Sequence, residues 1–289
     1  VLIILAAFVM MESPRWLVLK GREREARQVI CSLHPKGYDV DDAFKTINES
    51  IEENQEGGAG KETIGYNTIL CPPTPALKRM IFTGFGTAIS HQLCGIDAIQ
   101  YYLSFILKDA GIVDRLHQTQ ILTCLGVLKL LCLFVAGPMS DRFGRRPLLF
   151  ISLSGMICAL VLITWDTMMN ERNGEHHPII TILGLATYLC FFSFGLGPLG
   201  WVLPPEIFST SIRSKAISIS TLLNRVTGTF VVSSMITLAD YLTWPGYFAM
   251  LAVVNVFILL FFYLYLPETK GRSLEEMMDY FERITTTRR

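Results

Sequence analysis

Long apolar runs dominate this chain and predict helices that cross a membrane. A helix needs about 20 mostly apolar residues to span the hydrocarbon core of a bilayer. Residues 1–11 are also apolar but too few to span, so we interpret them as the end of a helix that begins upstream. Six segments reach spanning length: Met80–Leu107, Thr119–Met139, Leu148–Met169, Ile179–Leu203, Ala216–Ala239 and Gly246–Leu266.

Polar segments lie before and after these six spans. Apolar residues at three- to four-residue spacing predict two amphipathic helices in the first polar segment, at residues 21–33 and 39–56. Ser273 followed by Glu276 fits a capping box and predicts a short helix in the tail, to about residue 284. The predicted order is the end of a span at 1–11, a helical linker at 12–79, a six-span bundle at 80–266 and a tail at 267–289.

Charge supports a membrane protein and sets its expected orientation. Charged residues make up 17% of the chain, whereas soluble domains have about 25%. Twenty of the 25 Lys and Arg residues lie in 11–79, 141–147, 204–215 and 267–289. The positive-inside rule places these segments, and both chain ends, in the cytoplasm. We expect a multi-pass protein of the plasma membrane, with an organelle membrane as the alternative. The zero net charge gives no indication of nucleic-acid binding.

Two of the six spans are interrupted by Gly, Pro and polar residues. The first has Gly95 near its middle, and the fourth contains Gly195, Gly197, Pro198 and Gly200. Such interruptions free backbone groups that neighbouring helices or cavity water must satisfy. Interrupted helices in corresponding positions of two repeats indicate the binding site of a transporter. The first and fourth spans are therefore expected to line a polar cavity.

Several short motifs occur in an order that resembles the sugar porter family of the major facilitator superfamily. The motifs are Met11-Glu12-Ser13-Pro14-Arg15-Trp16-Leu17, His91-Gln92 with Gly95 and Tyr101-Tyr102, DRFGRRP at 141–147, Pro198 to Trp201 with Pro205-Glu206-Ile207-Phe208, Arg213, and PETKGR at 267–272. The resemblance implies an all-α membrane protein: the C-terminal six-helix bundle of a twelve-span major facilitator fold, with cytoplasmic linker helices. It also implies a missing N-terminal six-helix half, without which the chain is expected not to transport.

The resemblance implies transport of a sugar or polyol by alternating access, and it assigns roles to particular residues. Tyr101 and Tyr102 resemble an outer gate, although an aromatic belt at the outer interface explains them nearly as well. Trp201 resembles an aromatic plate for the sugar, with a lipid-facing interface anchor as the alternative. The implied substrate-binding residues are His91, Gln92, Asp97, Lys129, Trp201 and Asn224. The implied inner gate comprises Glu12, Arg15, Asp141, Arg142, Arg145, Arg146, Glu206, Arg213, Glu268 and Arg272, with control of topology as the alternative role.

The chain departs from the family pattern at charged positions. Asp97 and Lys129 stand where the family usually has Asn, and Arg225 stands where it usually has Trp. Charges at membrane depth are costly and normally face a cavity or a partner. We therefore expect Asp97 and Lys129 to form an ion pair across the cavity. The competing interpretation is that Lys129 binds an anionic substrate and that Asp97 is independent of it.

Other functions remain open at this point. The chain could belong to a carrier for an anionic sugar acid or another organic ion, to a non-transporting sugar sensor, or to a truncated product without function. An enzyme is not expected, because the sequence has no nucleophile–base arrangement, metal cluster or phosphate loop. No cofactor or metal is expected. Proton coupling cannot be read from this chain, because the resemblance places the acidic proton site in the missing half.

Overall fold

The described part of the chain is built from α-helices. The computed structural model describes residues 12–33, 40–41, 43–45, 47, 69, 72–109, 111–173, 178–209, 212–271, 277 and 280–284. These residues contain no β-strand, in agreement with the predicted all-α class. The apolar stretch 1–11 and the start of the predicted tail helix lie outside them; residues 277 and 280–284 of that helix are helical. The chain forms two compact units, residues 1–65 and 66–289, and the division between them falls within the predicted linker.

The first unit contains helices α1 (Pro14–Leu19) and α2 (Glu23–Leu33). Its apolar core is formed by Leu17, Ala26, Ile30 and Phe44. Ala26, Val29 and Ile30 pack as the spacing predicts, but Leu33 is 62% exposed because it falls at the last residue of α2. Residues 40–41, 43–45 and 47 of the second predicted linker helix are helical.

The first predicted span is divided into three helices in the structure. These are α3 (Pro75–Leu93), α4 (Ile96–Tyr101) and α5 (Leu103–Asp109). The main break falls at Gly95, whose φ of 92° is accessible to glycine and unfavourable for other residues. The close packing of Leu251, 2.9 Å from the position of a Cβ, also excludes a side chain there. The interruption predicted in this span is therefore confirmed.

The remaining predicted spans are also helical. Four described stretches are long and apolar enough to cross a membrane: Arg115–Phe143, Arg145–Arg172, Pro178–Ile207 and Arg213–Tyr265. The last contains the fifth and sixth predicted spans, joined at Thr243, where φ is 60° and ψ is 168°. The corresponding helices are α6 (Arg115–Phe143), α7 (Arg145–Asn173), α8 (Pro178–Phe194), α9 (Leu196–Ile207) and α10 (Arg213–Tyr265).

Neighbouring helices satisfy the backbone groups that the two breaks leave free. At the first break, the Cys94 carbonyl accepts hydrogen bonds from Tyr188 Oη at 2.9 Å and from Asn255 Nδ2 at 3.3 Å. At the second, between α8 and α9, Ser152 Oγ donates to the Phe191 carbonyl at 2.6 Å and accepts from Leu196 N–H at 3.1 Å. Without these bonds, polar backbone would be unsatisfied in an apolar environment. The breaks are therefore built features of the bundle, and they bring α3, α4, α8 and α9 together around one cavity.

Candidate functional site

A cavity of about 330 Å³ lies between the two broken spans. Five of the six predicted substrate-binding residues line it: His91, Gln92, Asp97, Lys129 and Trp201. The sixth, Asn224, does not. The other lining residues are Ile96, Gln100, Leu133, Phe192, Ser193, Gly197, Pro198 and Arg225. Arg225 stood out in the sequence as a charged residue within a span, and the polar residues Gln100 and Ser193 within spans carry a signal by which the sequence could have identified them. Nothing in the sequence distinguished Phe192 or Leu133 from other apolar span residues.

Asn224 is buried behind the cavity wall and joins α10 to α3. Its Nδ2 donates to the Ala88 carbonyl at 3.0 Å and lies 3.2 Å from His91 Nδ1. Its Oδ1 accepts a hydrogen bond from Gln92 Nε2 at 3.2 Å. Because a carbonyl can only accept, the contact with Ala88 fixes which end of the amide is Nδ2. A ring that carries its proton on Nε2 fits this contact, because Nδ1 then accepts from Nδ2.

The structure places Asn224 in this network rather than in the cavity lining, and both ends of its amide contact protein groups. Asn224 thereby positions His91 and Gln92, and its substrate-binding role stays a prediction. Gln92 is only 3% exposed, and its Oε1 is buried without a partner among the described groups. An unpaired buried acceptor costs about 1–3 kcal/mol. A hydroxyl that reached Gln92 after a small shift of the amide would remove this penalty.

His91 packs against α9 at a glycine. Its ring lies so close to Gly200 that a Cβ there would overlap the ring carbons. The same ring contacts Trp201 edge-on, with 5.8 Å between centroids, and Phe192 at 5.5 Å. Gly200 is therefore required for the approach of α3 to α9, and His91 acts as a spacer between the two broken spans.

Trp201 presents a large aromatic surface to the cavity. Its side chain is 46% exposed, whereas its neighbours Gly200 and Leu203 in α9 are buried. The guanidinium of Arg225 lies 5.6 Å from its ring centroid, and the ammonium of Lys129 lies 5.9 Å from that of Phe192. Two cations thus rest against aromatic rings in one cavity, an arrangement that contributes about 0.5–1 kcal/mol at exposed sites.

The expected ion pair between Asp97 and Lys129 is wrong for this structure. Both side chains belong to the described residues and line the same cavity, but no nitrogen–oxygen distance between them is within 4.0 Å. Lys129 extends from α6 towards Phe192 instead. Asp97 lies on α4 and Lys129 on α6, on different sides of the cavity. Two charges that line one cavity from different helices are therefore not brought into contact. The cavity therefore presents one carboxylate and two cations to a ligand.

Tyr101 and Tyr102 are not part of the lining. Tyr101, at the end of α4, is 74% exposed, and Tyr102 packs against Phe105 with 6.0 Å between ring centroids. Gln100, one residue earlier, is the side chain of this segment that reaches the cavity. The outer-gate role of the two tyrosines stays a prediction.

A second group of polar residues lies where α6 ends and α7 begins, and we call it the charged cluster: Asp141, Arg145, Arg146, Glu206, Glu268 and Thr269. Arg145 donates from Nη2 and Nε to Oε1 of Glu206, at 3.0 and 3.3 Å, and its Nη1 lies 3.3 Å from Asp141. Thr269 donates to the other oxygen of Glu206 at 2.5 Å. Arg145 and Glu206 are 17% and 27% exposed, so the pair is partly shielded from water.

Glu268 connects the tail motif to the first turn of α7. Its Oε1 accepts from Arg145 N–H at 3.0 Å and its Oε2 accepts from Arg146 N–H at 3.1 Å. These amides are free because the first residues of a helix have no intrahelical acceptor. The guanidinium of Arg146 donates to the Tyr263 carbonyl at 2.9 Å. Lys270 Nζ donates to the Arg142 carbonyl at 2.8 Å. The motifs at 141–147, 205–208 and 267–270 are thus brought together.

Two further predicted gate residues, Arg142 and Arg213, form no side-chain bond to the charged cluster among the described groups. The Arg142 side chain is exposed and lies over the ring of its neighbour Phe143. Arg213, at the start of α10, has a buried Nε without a partner among the described groups. Glu12 is exposed and belongs to the first unit. The side chains of Arg15 and Arg272 lie outside the described residues.

Comparisons with known proteins agree on one family. The sequence model of the family described as "Sugar (and other) transporter" matches residues 1–281. From Arabidopsis thaliana, probable polyol transporter 4 is 32% identical over 96% of this chain, and putative polyol transporter 1 is 31% identical over all of it. The matches cover 52% and 59% of those proteins, so the chain spans just over half the length of these relatives.

Solved structures show the same fold. The proton:xylose symporter XylE bound to 6-bromo-6-deoxy-D-glucose matches 97% of this chain and 56% of its own length, with a TM-score of 0.75 and 24% identity. An inward-open structure of the xylose transporter XylE from E. coli matches with a TM-score of 0.67, again at 24% identity. These likenesses confirm a half of the major facilitator fold.

Proposed function

Because the chain belongs to the sugar transporter family of the major facilitator superfamily, we propose that it forms the C-terminal half of a carrier for a sugar or polyol. Family members are transporters rather than enzymes. The observation that carries the proposal is the cavity between the two broken spans, which combines the half-exposed ring of Trp201 with charged and amide groups. An aromatic plate beside hydrogen-bonding side chains suits a ring or chain of hydroxyls with one apolar face.

We place the substrate against Trp201, with Gln92, Gln100 and Asp97 within reach of its hydroxyls. Gln92 has the unpaired acceptor, and Asp97 and Gln100 lie on the wall formed by α4. His91 shapes the site through its contacts with Asn224 and Gly200 rather than by offering Nδ1 to the ligand.

Alternating access would require the charged cluster to change between two states. In this proposal, the Arg145–Glu206 pair and the Glu268 contacts stabilise one facing state, and the cluster lies on the cytoplasmic side, as the distribution of Lys and Arg predicts. The relatives named as polyol transporters support a neutral polyhydroxylated substrate. The structural neighbour named as a proton symporter makes proton coupling a further proposal.

The direct test is uptake by the carrier that contains this chain together with an N-terminal half. Proteoliposomes loaded with buffer should accumulate or equilibrate radiolabelled sorbitol or D-xylose, and Trp201→Ala should abolish most of the uptake. The matched control is Trp165→Ala, because Trp165 is 56% exposed on α7 and does not line the cavity. Liposomes with the 289-residue chain alone should show no uptake. Absence of uptake of any neutral sugar or polyol would count against the proposal.

A second candidate is supported by the charges in the cavity. Lys129 and Arg225 line it without an ion-pair partner among the described residues, and a carboxylate on the substrate could bind between them. This would make the protein a carrier for an anionic sugar acid. Competition of labelled sorbitol uptake by unlabelled gluconate and by unlabelled sorbitol separates the two: stronger competition by gluconate favours the sugar acid, and weaker competition favours the neutral substrate.

A further inference from the structure

A second cavity, larger than the first, lies at the opposite end of α6 from the charged cluster. It has a volume of about 590 Å³, and its polar or aromatic lining comprises Ser104, Phe105, Lys108, Arg115, Gln118 and Thr119. Arg115 is the first residue of α6 and Phe143 the last. At a rise of about 1.5 Å per residue, the cavity is roughly 40 Å from the cluster along the helix.

The two cavities are lined by the same helix faces. On α6, Arg115, Gln118 and Leu122 line the second cavity, and Lys129 and Leu133 line the first. Their spacings of three, four, seven and four residues keep them on one side of the helix.

The first span shows the same continuity. Asp97 and Gln100 line the first cavity, and Ser104 and Lys108 line the second, again at spacings of three or four residues. Residues of α4, α5 and α6 thus line first one cavity and then the other in order along the chain.

The second cavity also offers groups that suit a polyhydroxylated molecule. Phe105 is 60% exposed and provides an apolar ring. Gln118 donates from Nε2 to the Ile112 carbonyl at 2.6 Å, which leaves its Oε1 as an acceptor towards the cavity. The Thr119 hydroxyl donates a hydrogen bond to the Arg115 carbonyl at 2.8 Å, so the hydroxyl oxygen remains available as an acceptor.

Two cations supply the hydrogen-bond donors. Lys108 and Arg115 are exposed, and neither forms an ion pair with a described side chain. The nearby carboxylate of Asp114 is already bound, since one oxygen lies 2.7 Å from His117 Nδ1 and the other accepts from Leu116 N–H at 3.2 Å. Acceptors, donors and an aromatic ring thus face the same space.

We propose that the second cavity is a separate subsite, at which the sugar or polyol binds on its way into or out of the candidate cavity. The proposal rests on the proposed function, because it takes its ligand from there. Phe105 stacks on the apolar side of the ligand, and Lys108, Arg115, Gln118 and Thr119 bind its hydroxyls. The subsite belongs to the translocation path and does not depend on the residues of the first cavity.

The test uses Ser104→Cys in the complete carrier, which places a reactive thiol in the second cavity. A membrane-impermeant thiol reagent is applied with and without D-xylose or sorbitol, and modification of the introduced thiol is followed by mass spectrometry, which separates it from the native cysteines. At a ligand concentration about ten times the dissociation constant, occupancy of the subsite predicts roughly tenfold slower modification. The protection should weaken when Lys108→Gln or Phe105→Ala is added. Arg172→Gln, a cation outside both cavities, should leave it unchanged.

The decisive comparison is repeated with Trp201→Ala added to Ser104→Cys. Protection that persists shows that the ligand occupies the second cavity itself. If the protection disappears in the double variant, the protection came from movement of the carrier around the first cavity. This result overturns the subsite. Equal modification with and without ligand, in a protein that still transports the sugar, also overturns the subsite and leaves the transport function intact. Lack of transport by the parent carrier contradicts the proposed function instead.

Discussion

Arg145 and Glu206 join the first turn of α7 to the last turn of α9, through two hydrogen bonds to one carboxylate oxygen. Glu206 follows Trp201 by five residues on the same helix. A displacement of α9 that moved the cavity wall at Trp201 would therefore also strain the Arg145–Glu206 pair. This connection gives a physical route by which occupancy of the cavity can influence the charged cluster.

Breaking this pair should change the balance between facing states more than it changes binding. Hydrogen bonds to charged groups contribute about 1.5–3 kcal/mol, and a two-state equilibrium shifts by the differential free energy of its states. Glu206→Gln and Arg145→Ala should therefore slow substrate exchange by about tenfold or more while equilibrium binding stays detectable. Exchange is measured by counterflow in proteoliposomes at matched protein content.

Arg142→Ala is the matched control, because that side chain belongs to the same motif but is exposed and lies over the ring of Phe143. It should exchange substrate like the parent. Parent-like exchange by Glu206→Gln would show that the pair has no part in gating.

Sequence patterns predicted the spans and their interruptions well because these depend on local chemistry. Apolar length located the helices, and Gly95 and Gly195 marked the breaks. The partners that stabilise the breaks could not be predicted, since Tyr188, Ser152 and Asn255 are brought there only by tertiary packing. The non-helical backbone of Thr243, with φ of 60° and ψ of 168°, separates the fifth and sixth predicted spans, which the apolar pattern places on either side of it.

The sequence predicted most of the residues of the candidate site but not the contacts among their side chains. Family resemblance identified five lining residues, whereas Asn224 lies behind the cavity wall in contact with Gln92 and Ala88. The Asp97–Lys129 pair failed for a related reason. Opposite charges on two spans indicate a shared polar environment, whereas a contact depends on helix rotation and side-chain direction, which spacing alone does not determine.

Neutralising Glu268 should destabilise the start of α7. The carboxylate accepts from two first-turn amides, where the positive end of the helix dipole favours a negative charge by about 0.3–1 kcal/mol, and up to about 2 kcal/mol when partly buried. Glu268→Gln should lower the thermal unfolding midpoint of the complete carrier, as measured by intrinsic fluorescence. Asp240→Asn, at an exposed carboxylate of α10, serves as the control for loss of one acidic charge. Equal midpoints for the parent and Glu268→Gln would contradict the capping role.

Substitution of Gly200 should lower stability and transport because a side chain there overlaps His91. Truncation of His91 should relieve this overlap. A Cβ at residue 200 overlaps the His91 ring, and overpacking of this kind costs about 1–3 kcal/mol. Gly200→Ala should therefore lower stability and transport, and His91→Ala in addition should restore part of both. The measurement is thermal unfolding and initial uptake rate for the two single variants and the double variant. Gly126→Ala, at a glycine with open space around it, should be tolerated.

Asp97 and Lys129 should behave as independent residues in a double-mutant cycle. They line one cavity, but no hydrogen bond or ion pair joins them. Removing one partner of a buried pair typically costs about 3–5 kcal/mol, and removing both together restores much of this loss. For unpaired groups we expect no such restoration: Asp97→Asn combined with Lys129→Gln should bind substrate no better than the weaker single variant. The coupling energy, from equilibrium binding of labelled substrate to the four proteins, should stay below about 1 kcal/mol. Recovery of binding in the double variant, with a coupling energy of about 3 kcal/mol, would show that the two side chains pair in the state that binds substrate.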